Sequence, residues 1–179
     1  GRLNSYLIEI SETVLKATDP VSSTPMVDMI VDRAGQKGTG KWSVIEAQNM
    51  GVAATAIEAA VAGRILSSQK KEREEAEAIL GLPTLAEAPK DRAAFLADLE
   101  NALLAAKIGA YAQGFAVMSA ASTEFGWNLP MPTIARIWRA GCIIRSAFLD
   151  EITSAFTKDP DVANMIVTPA FSQMVKETD

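Results

Sequence analysis

Residues Gly35-Gln36-Lys37-Gly38-Thr39-Gly40-Lys41-Trp42 place three glycines within six positions, beside two lysines and a threonine. Glycines permit positive φ and let successive backbone N–H groups turn toward one point, and Lys37, Lys41 and the Thr39 hydroxyl add donors. These are the parts of an anion cradle. They are equally the parts of a glycine-rich turn between helices with solvated lysines, and composition leaves both readings open. A nucleotide P-loop fares worse. Gly35 to Lys41 satisfies G-x-x-x-x-G-K, yet the next residue is Trp42 where Mg²⁺ requires Ser or Thr, and an amphipathic helix precedes the loop where a buried strand is needed.

Arg64 shares a helical stripe with Ile57, Ala60, Val61, Ile65 and Ser68, which points its guanidinium inward. A buried cation needs a carboxylate or a bound anion. The pattern favours a carboxylate such as Glu58, while the small neighbours Ala59, Ala60, Ala62 and Gly63 leave room for an anion to approach. Lys107, inside an apolar window, is read in the same way as half of a buried ion pair. Glu46, Glu58 and Glu124 have no partner at acid/base spacing, so two-carboxylate hydrolysis has no support. Trp138, Arg139, Cys142 and Arg145 are dense, but at helical spacing they read as core or interface.

Composition narrows the field further. The 179 residues contain no histidine, which removes His-based triads, proton shuttles and metal sites. A single cysteine, Cys142, excludes an internal disulfide and a multi-Cys zinc site and fits a reducing, cytoplasmic compartment. Seventeen basic against twenty-two acidic residues give a net charge of −5, which disfavours nucleic acid. No metal site is expected. The most membrane-like window, Ala102 to Ala121, is mostly Ala and Gly and carries Lys107 and Gln113, so it reads as a buried bundle helix and no membrane span is expected. At this length folding hides about 70% of the unfolded chain's surface, enough for one core without staples.

The elements that must position these residues are helical throughout. Leu7, Ile10, Val14 and Leu15 form a first stripe capped by Asn4 or Ser5. Thr24-Pro25 opens a second helix carrying Val27, Ile30, Val31 and Ala34, with Gly35 at its left-handed C-terminal position. A third covers Trp42 to Met50 and stops at Gly51. Thr55 and Glu58 match a capping box for a fourth, which runs on through the charged stretch Lys70 to Glu77 and closes at Gly81 and Pro83. Gly81 to Pro89 reads as a linker. Asp91 begins the longest pattern, ending near Phe125, and its second half is apolar on nearly every side, so other helices must surround it. After Pro130 and Pro132 a final long stripe runs from Ile134 to Phe156 and ends at Asp159-Pro160. The expectation is an all-α domain over residues 1–179, with about seven or eight helices around one long central helix.

With those residues in place a family resemblance emerges. Ile30-Val31-Asp32-Arg33-Ala34-Gly35-Gln36-Lys37-Gly38-Thr39-Gly40-Lys41-Trp42 resembles the signature of the decarboxylating 6-phosphogluconate dehydrogenases. Similar segments follow in family order: Asn4 to Ile10, Tyr111-Ala112-Gln113-Gly114-Phe115, Glu124 to Leu129, and Trp138 to Ser146. The resemblance spans essentially the whole chain.

That resemblance implies a two-part enzyme of the pentose phosphate pathway. An N-terminal Rossmann domain binds NADP, or NAD in some members, and a large all-α domain supplies substrate contacts and a homodimer interface. The reaction oxidises 6-phosphogluconate at C3 and decarboxylates the β-keto acid to ribulose 5-phosphate. The family's substrate-holding lysine, threonine and arginine fall on Lys37, Thr39 and Arg64. The chain has no G-x-G-x-x-G fingerprint, and the family's general-base lysine and general-acid glutamate lie upstream of its first residue. A C-terminal tail that reaches across the family's dimer would lie beyond Asp179. No catalytic and no cofactor-binding residue is therefore expected in this stretch, no cofactor should bind it alone, and it should be inactive by itself. The rival reading is a non-catalytic helical assembly module, in which Arg64 is bridged to a carboxylate and Lys37 points into solvent far away.

Overall fold

The computed structural model describes residues 1–84 and 87–178. Among them are nine α-helices: α1 (Tyr6–Lys16), α2 (Met26–Met29), α3 (Thr39–Asn49), α4 (Thr55–Ser68), α5 (Lys70–Leu80), α6 (Arg92–Glu124), α7 (Met131–Ile137), α8 (Phe148–Lys158) and α9 (Pro169–Lys176). A 3-10 turn at Met165–Val167 precedes α9. The extended pairings among the described residues are two isolated bridges, Ser5 with Ser146 and Thr18 with Pro25. The all-α expectation holds.

The central helix α6 has 33 residues and is about 50 Å long. The Asp91 side chain caps it by accepting from the Ala94 N–H at 3.0 Å. Leu104, Ile108, Ala112 and Phe115 form its fully buried stripe, spaced four, four and three residues apart. The faces beside that stripe are half-buried from Gly109 to Ser122. Against the stripe pack Phe148, Leu149, Ile152 and Phe156 of α8, together with Met165 and Phe171. Phe115 stacks on Phe156 with ring centroids 5.2 Å apart and meets Trp138 at 5.3 Å. No helix among the described residues is long and apolar enough to cross a membrane.

Several boundaries move from their sequence-based positions, each for a tertiary reason. The helix expected over Pro25 to Ala34 shrinks to the single turn of α2, because backbone groups further along bond to α4 and α5. Gly35 does not take a left-handed conformation; Gly38 does, at φ 113°, as the residue before α3. The helix expected to run from Thr55 past Lys70 breaks at Gln69 (φ −89°, ψ 46°) into α4 and α5. The Thr55/Glu58 capping box does not form. Ala54 is the cap residue, and Glu58 accepts from the Gln48 amide at 2.7 Å.

The last stripe also divides, into α7 and α8. Residues between them pair with the N-terminal segment: Tyr6 N–H donates to the Arg145 carbonyl at 3.1 Å and Ala147 N–H to the Asn4 carbonyl at 3.0 Å. The Tyr111 hydroxyl donates to the Ile144 carbonyl, and Gly141 turns the chain at φ 70°. A continuous helix would have spent those carbonyls internally. The final turn and α9 lie past Asp159-Pro160, beyond the last stripe that periodicity predicts. Residues 81–84 and 87–89 of the expected linker are non-helical; Leu85, Ala86 and Asp179 lie outside the described residues.

Candidate functional site

The glycine-rich segment lies on the surface of the α3–α4 pair. Gly38 makes the turn into α3, and a Cβ there would meet the Trp42 ring at 3.4 Å. Two residues on, a Cβ at Gly40 would sit 3.1 Å from Val61 Cγ2. The Val61 side chain would have to give way to such a Cβ. Gly40 thus allows the first turn of α3, which carries Thr39, to lie directly on the helix that carries Arg64. The glycines that suggested a cradle also serve a helix–helix approach.

Arg64 departs from its expected burial. It is exposed, and its Nε donates to the Gly35 carbonyl at 2.8 Å, two residues from Lys37. Among the described residues it makes no ion pair, so the expected bridge to Glu58 is absent. The inward stripe fails because the 30–37 segment runs beside this face of α4 and offers a carbonyl at its edge. Neither guanidinium Nη makes a hydrogen bond within the described residues, and both stay open to a ligand. Lys37 is exposed, and its Nζ likewise has no hydrogen-bond or ion-pair partner there. Thr39 is exposed in the first turn of α3, where its carbonyl accepts from the Ser43 hydroxyl at 3.0 Å. The Arg64 Nε–Gly35 bond joins α4 to the loop that carries Lys37 and leads into Thr39, and neither cation has a carboxylate partner among the described residues. Such a set suits a phosphate or carboxylate ligand.

The loop is fastened to α4 at further points. Ala34 N–H donates to Ser67 Oγ at 3.1 Å. Arg73 of α5 donates to both the carboxylate and the carbonyl of Asp32, each at 2.8 Å. The guanidinium holds the Asp32 carboxyl below its ordinary value of 3.8, with Lys70 helping from further away.

The start of α4 is held from the central helix. Gln113 Oε1 accepts from the N–H groups of Ala56 at 2.9 Å and Ile57 at 3.4 Å, and its Nε2 donates to Thr55 Oγ1 at 3.1 Å. A side chain from α6 thus performs the capping expected of Thr55 and Glu58. Nothing local to residues 54–58 signals this. The hint in the sequence is a glutamine inside a largely apolar window.

Lys107 is not an ion pair among the described residues. Its Nζ donates to the Leu3 carbonyl at 3.1 Å and lies 5.0 Å from the centroid of the Phe148 ring. Burial lowers its pKa from the ordinary 10.5. In the Trp138–Arg145 cluster, Trp138 packs on the core as expected, whereas Arg139 pairs with Asp150 at 2.5 Å and Arg145 with Glu9 at 2.8 Å. Cys142 is half-buried. No group of three or more Cys, Asp or Glu among the described residues is arranged to hold a metal ion.

Residues 1–179 match, over their whole length, the family described as 6-phosphogluconate dehydrogenase, C-terminal domain. The chain belongs to that family. It is 48% identical over 176 residues to 6-phosphogluconate dehydrogenase, decarboxylating 2, of Saccharomyces cerevisiae, a match covering 98% of this chain and 36% of the yeast protein. A Bacillus subtilis relative named as NAD(+)-dependent and decarboxylating is 42% identical over 172 residues, covering 96% of this chain and 37% of its own. The fold superposes on a Plasmodium falciparum 6-phosphogluconate dehydrogenase with a TM-score of 0.92 at 38% identity, covering 99% of this chain and 38% of that one. The Plasmodium enzyme is known in its apo form, with its cofactor NADP+ and with its substrate 6-phosphogluconate. The chain spans little more than a third of the length of these relatives.

Proposed function

We propose that residues 1–179 form a single all-α domain that holds the phosphate of 6-phosphogluconate for an NADP-dependent oxidative decarboxylase. The observation that carries this reading is the hydrogen bond from Arg64 Nε to the Gly35 carbonyl, which brings an unneutralised guanidinium to the loop bearing Lys37. Lys37 and Arg64 neutralise the ester's two charges, and the Thr39 hydroxyl donates a third hydrogen bond. Hydride transfer and decarboxylation rest on groups outside this chain. NADP, or NAD as in the relative named for it, would be held by a separate dinucleotide domain, since no phosphate-binding fingerprint of that kind occurs here. The lone thiol supports a cytoplasmic setting.

Three charge-assisted contacts of about 1.5–3 kcal/mol each give about 5–9 kcal/mol gross, and association costs at least about 4. Affinity of the isolated chain for 6-phosphogluconate is therefore near millimolar or weaker. The chain also forms a homodimer on this reading. Phe95, Leu96, Leu99 and Leu103 are 39–51% exposed on the first half of α6, an apolar surface a monomer leaves in water.

The decisive assay follows dinucleotide reduction by the full-length protein that contains this sequence. Reduction dependent on 6-phosphogluconate is expected, with Lys37→Ala and Arg64→Ala each raising KM at least about tenfold. No such activity, or unchanged KM in both variants, would overturn the reading. Isothermal titration of the isolated chain should give a millimolar constant, and a micromolar one contradicts the estimate. Light scattering showing a monomer at micromolar concentration would remove the dimer.

A further inference from the structure

We infer that Arg73 is a positioning residue for the phosphate grip, acting by clamping the Lys37 loop onto the broken end of α4. This rests on the assignment of Lys37 and Arg64 to substrate phosphate. The guanidinium donates four hydrogen bonds to three places. Nη1 reaches Asp32 Oδ2 and Nη2 the Asp32 carbonyl, both at 2.8 Å; Nη2 also meets the Ser67 carbonyl at 3.3 Å, and Nε meets the Leu66 carbonyl at 3.1 Å.

The positions of these acceptors matter. Leu66 and Ser67 belong to the last turn of α4, where the chain breaks at Gln69; the Leu66 carbonyl, which also accepts from the Gln69 N–H at 3.1 Å, and the Ser67 carbonyl both face Arg73. Asp32 belongs to the segment that leads into Lys37. One planar fork therefore grips the last turn of α4 and ties the incoming loop to it. Next to that tie, Ser67 Oγ accepts from Ala34 N–H and Arg64 Nε reaches Gly35. Asp32, Ala34 and Gly35 are thus fixed in order against α4 and the start of α5, and Lys37 leaves from a defined point. The break between α4 and α5 places Arg73 where it reaches back, since a continuous helix would have kept the Leu66 and Ser67 carbonyls for itself.

A lysine cannot replace this group. Its single ammonium reaches the Asp32 carboxylate or the carbonyls, but not both sets in the observed planar array. A helix-end cap alone would predict lost stability with unchanged substrate affinity. Positioning predicts a selective change, because small displacements of a charged contact are costly.

The test uses the full-length enzyme with Arg73→Ala, Arg73→Lys and the milder Ser67→Ala, with Arg64→Ala as reference. Arg73→Ala should raise KM for 6-phosphogluconate about tenfold, with kcat and the dinucleotide KM changing less than about twofold. Arg73→Lys should recover less than half of that loss on a logarithmic scale, and Ser67→Ala should raise KM about threefold. Hydrogen exchange of the 31–36 backbone should accelerate in all three. If Arg64→Ala raises KM while Arg73→Ala and Ser67→Ala do not, the clamp is overturned and the phosphate site stands. If Arg64→Ala also leaves KM unchanged, the phosphate reading fails and takes the clamp's role with it. Should Arg73→Ala not fold, Arg73→Lys and Ser67→Ala decide alone: faster exchange with unchanged KM overturns positioning.

Discussion

The α6–α8–α9 side of the molecule and the α3–α4–α5 side are built on different physics. On the first, Leu104, Ile108, Phe115, Leu149, Ile152, Met165 and Phe171 are all at most 1% exposed, and interlocking rings fill the interior. On the second, Ala47 and Ala54 are the buried hydrophobic residues, while Trp42, Ile45, Ile65 and Leu66 are 43–61% exposed. What orders that side is a series of directional bonds: Gln113 to the start of α4, Ser67 to Ala34, Arg64 to Gly35 and Arg73 to Asp32. Apolar packing supplies stability without fixing polar atoms closely. Hydrogen bonds to backbone carbonyls fix position while adding little net free energy each. The helical core carries the stability, and the polar stitching holds the loop and helix that bear Lys37 and Arg64.

The separation has measurable consequences. Phe115→Ala should cost about 3–5 kcal/mol of unfolding free energy in chemical denaturation, since the ring is fully buried against Phe156 and Trp138. Provided the variant stays folded, KM for 6-phosphogluconate should move less than about twofold. A large KM change with little loss of stability would reverse the roles given to the two sides. Gln113→Ala crosses the boundary, because α6 belongs to the core and α4 to the site. It should cost about 1–2 kcal/mol through the freed N–H groups of α4 and also raise KM. A change in stability alone would mean the two sides are less coupled than Gln113 suggests.

The smallest expected effect lies in the core. Burial lowers the Lys107 pKa, so the unfolded chain binds that proton more tightly than the folded one. Stability should therefore rise with pH through the window between the lowered folded value and the ordinary 10.5. Lys107→Met should flatten that rise and leave neutral-pH stability within about 1 kcal/mol. A wild-type protein that loses stability over the same window, with the loss absent from Lys107→Met, would mean that Lys107 gains more from the Leu3 carbonyl and the Phe148 ring than burial takes away.

The two regions also differed in how readable they were. Helix punctuation and periodicity located α1, α3 and α6, yet the apolar stripe expected of α1 is not buried: Leu7, Val14 and Leu15 are 43–65% exposed. The apolar character of the second half of α6 predicted a surrounded helix but did not single out the stripe Leu104–Phe115 that is buried. The family motif marked Lys37, Thr39 and Arg64, and the glycine spacing pointed to the same loop. Long-range polar contacts were not legible. Nothing near Ile30–Ala34 says that its backbone will be held by Ser67 and Arg73, and so a helix was expected where one turn exists. The same holds for the end of α4, whose break at Gln69 is stabilised by Arg73, and for the division of α7 from α8, where carbonyls bond to Tyr6 and Tyr111 instead of continuing a helix. Arg64 and Lys107 were both expected to find carboxylates and both found backbone carbonyls. Side-chain pattern says that a cation sits at a crowded position, but every backbone segment that passes nearby is a competing acceptor the pattern does not register.

The central claim is that Lys37, Thr39 and Arg64 grip one phosphate together. A crystal structure of the full-length enzyme with 6-phosphogluconate tests it most directly. The account predicts phosphate oxygens within about 3 Å of Lys37 Nζ, Thr39 Oγ1 and an Arg64 Nη, with Arg64 Nε still on the Gly35 carbonyl. A phosphate bound elsewhere, with Lys37 and Arg64 both in solvent, would contradict it.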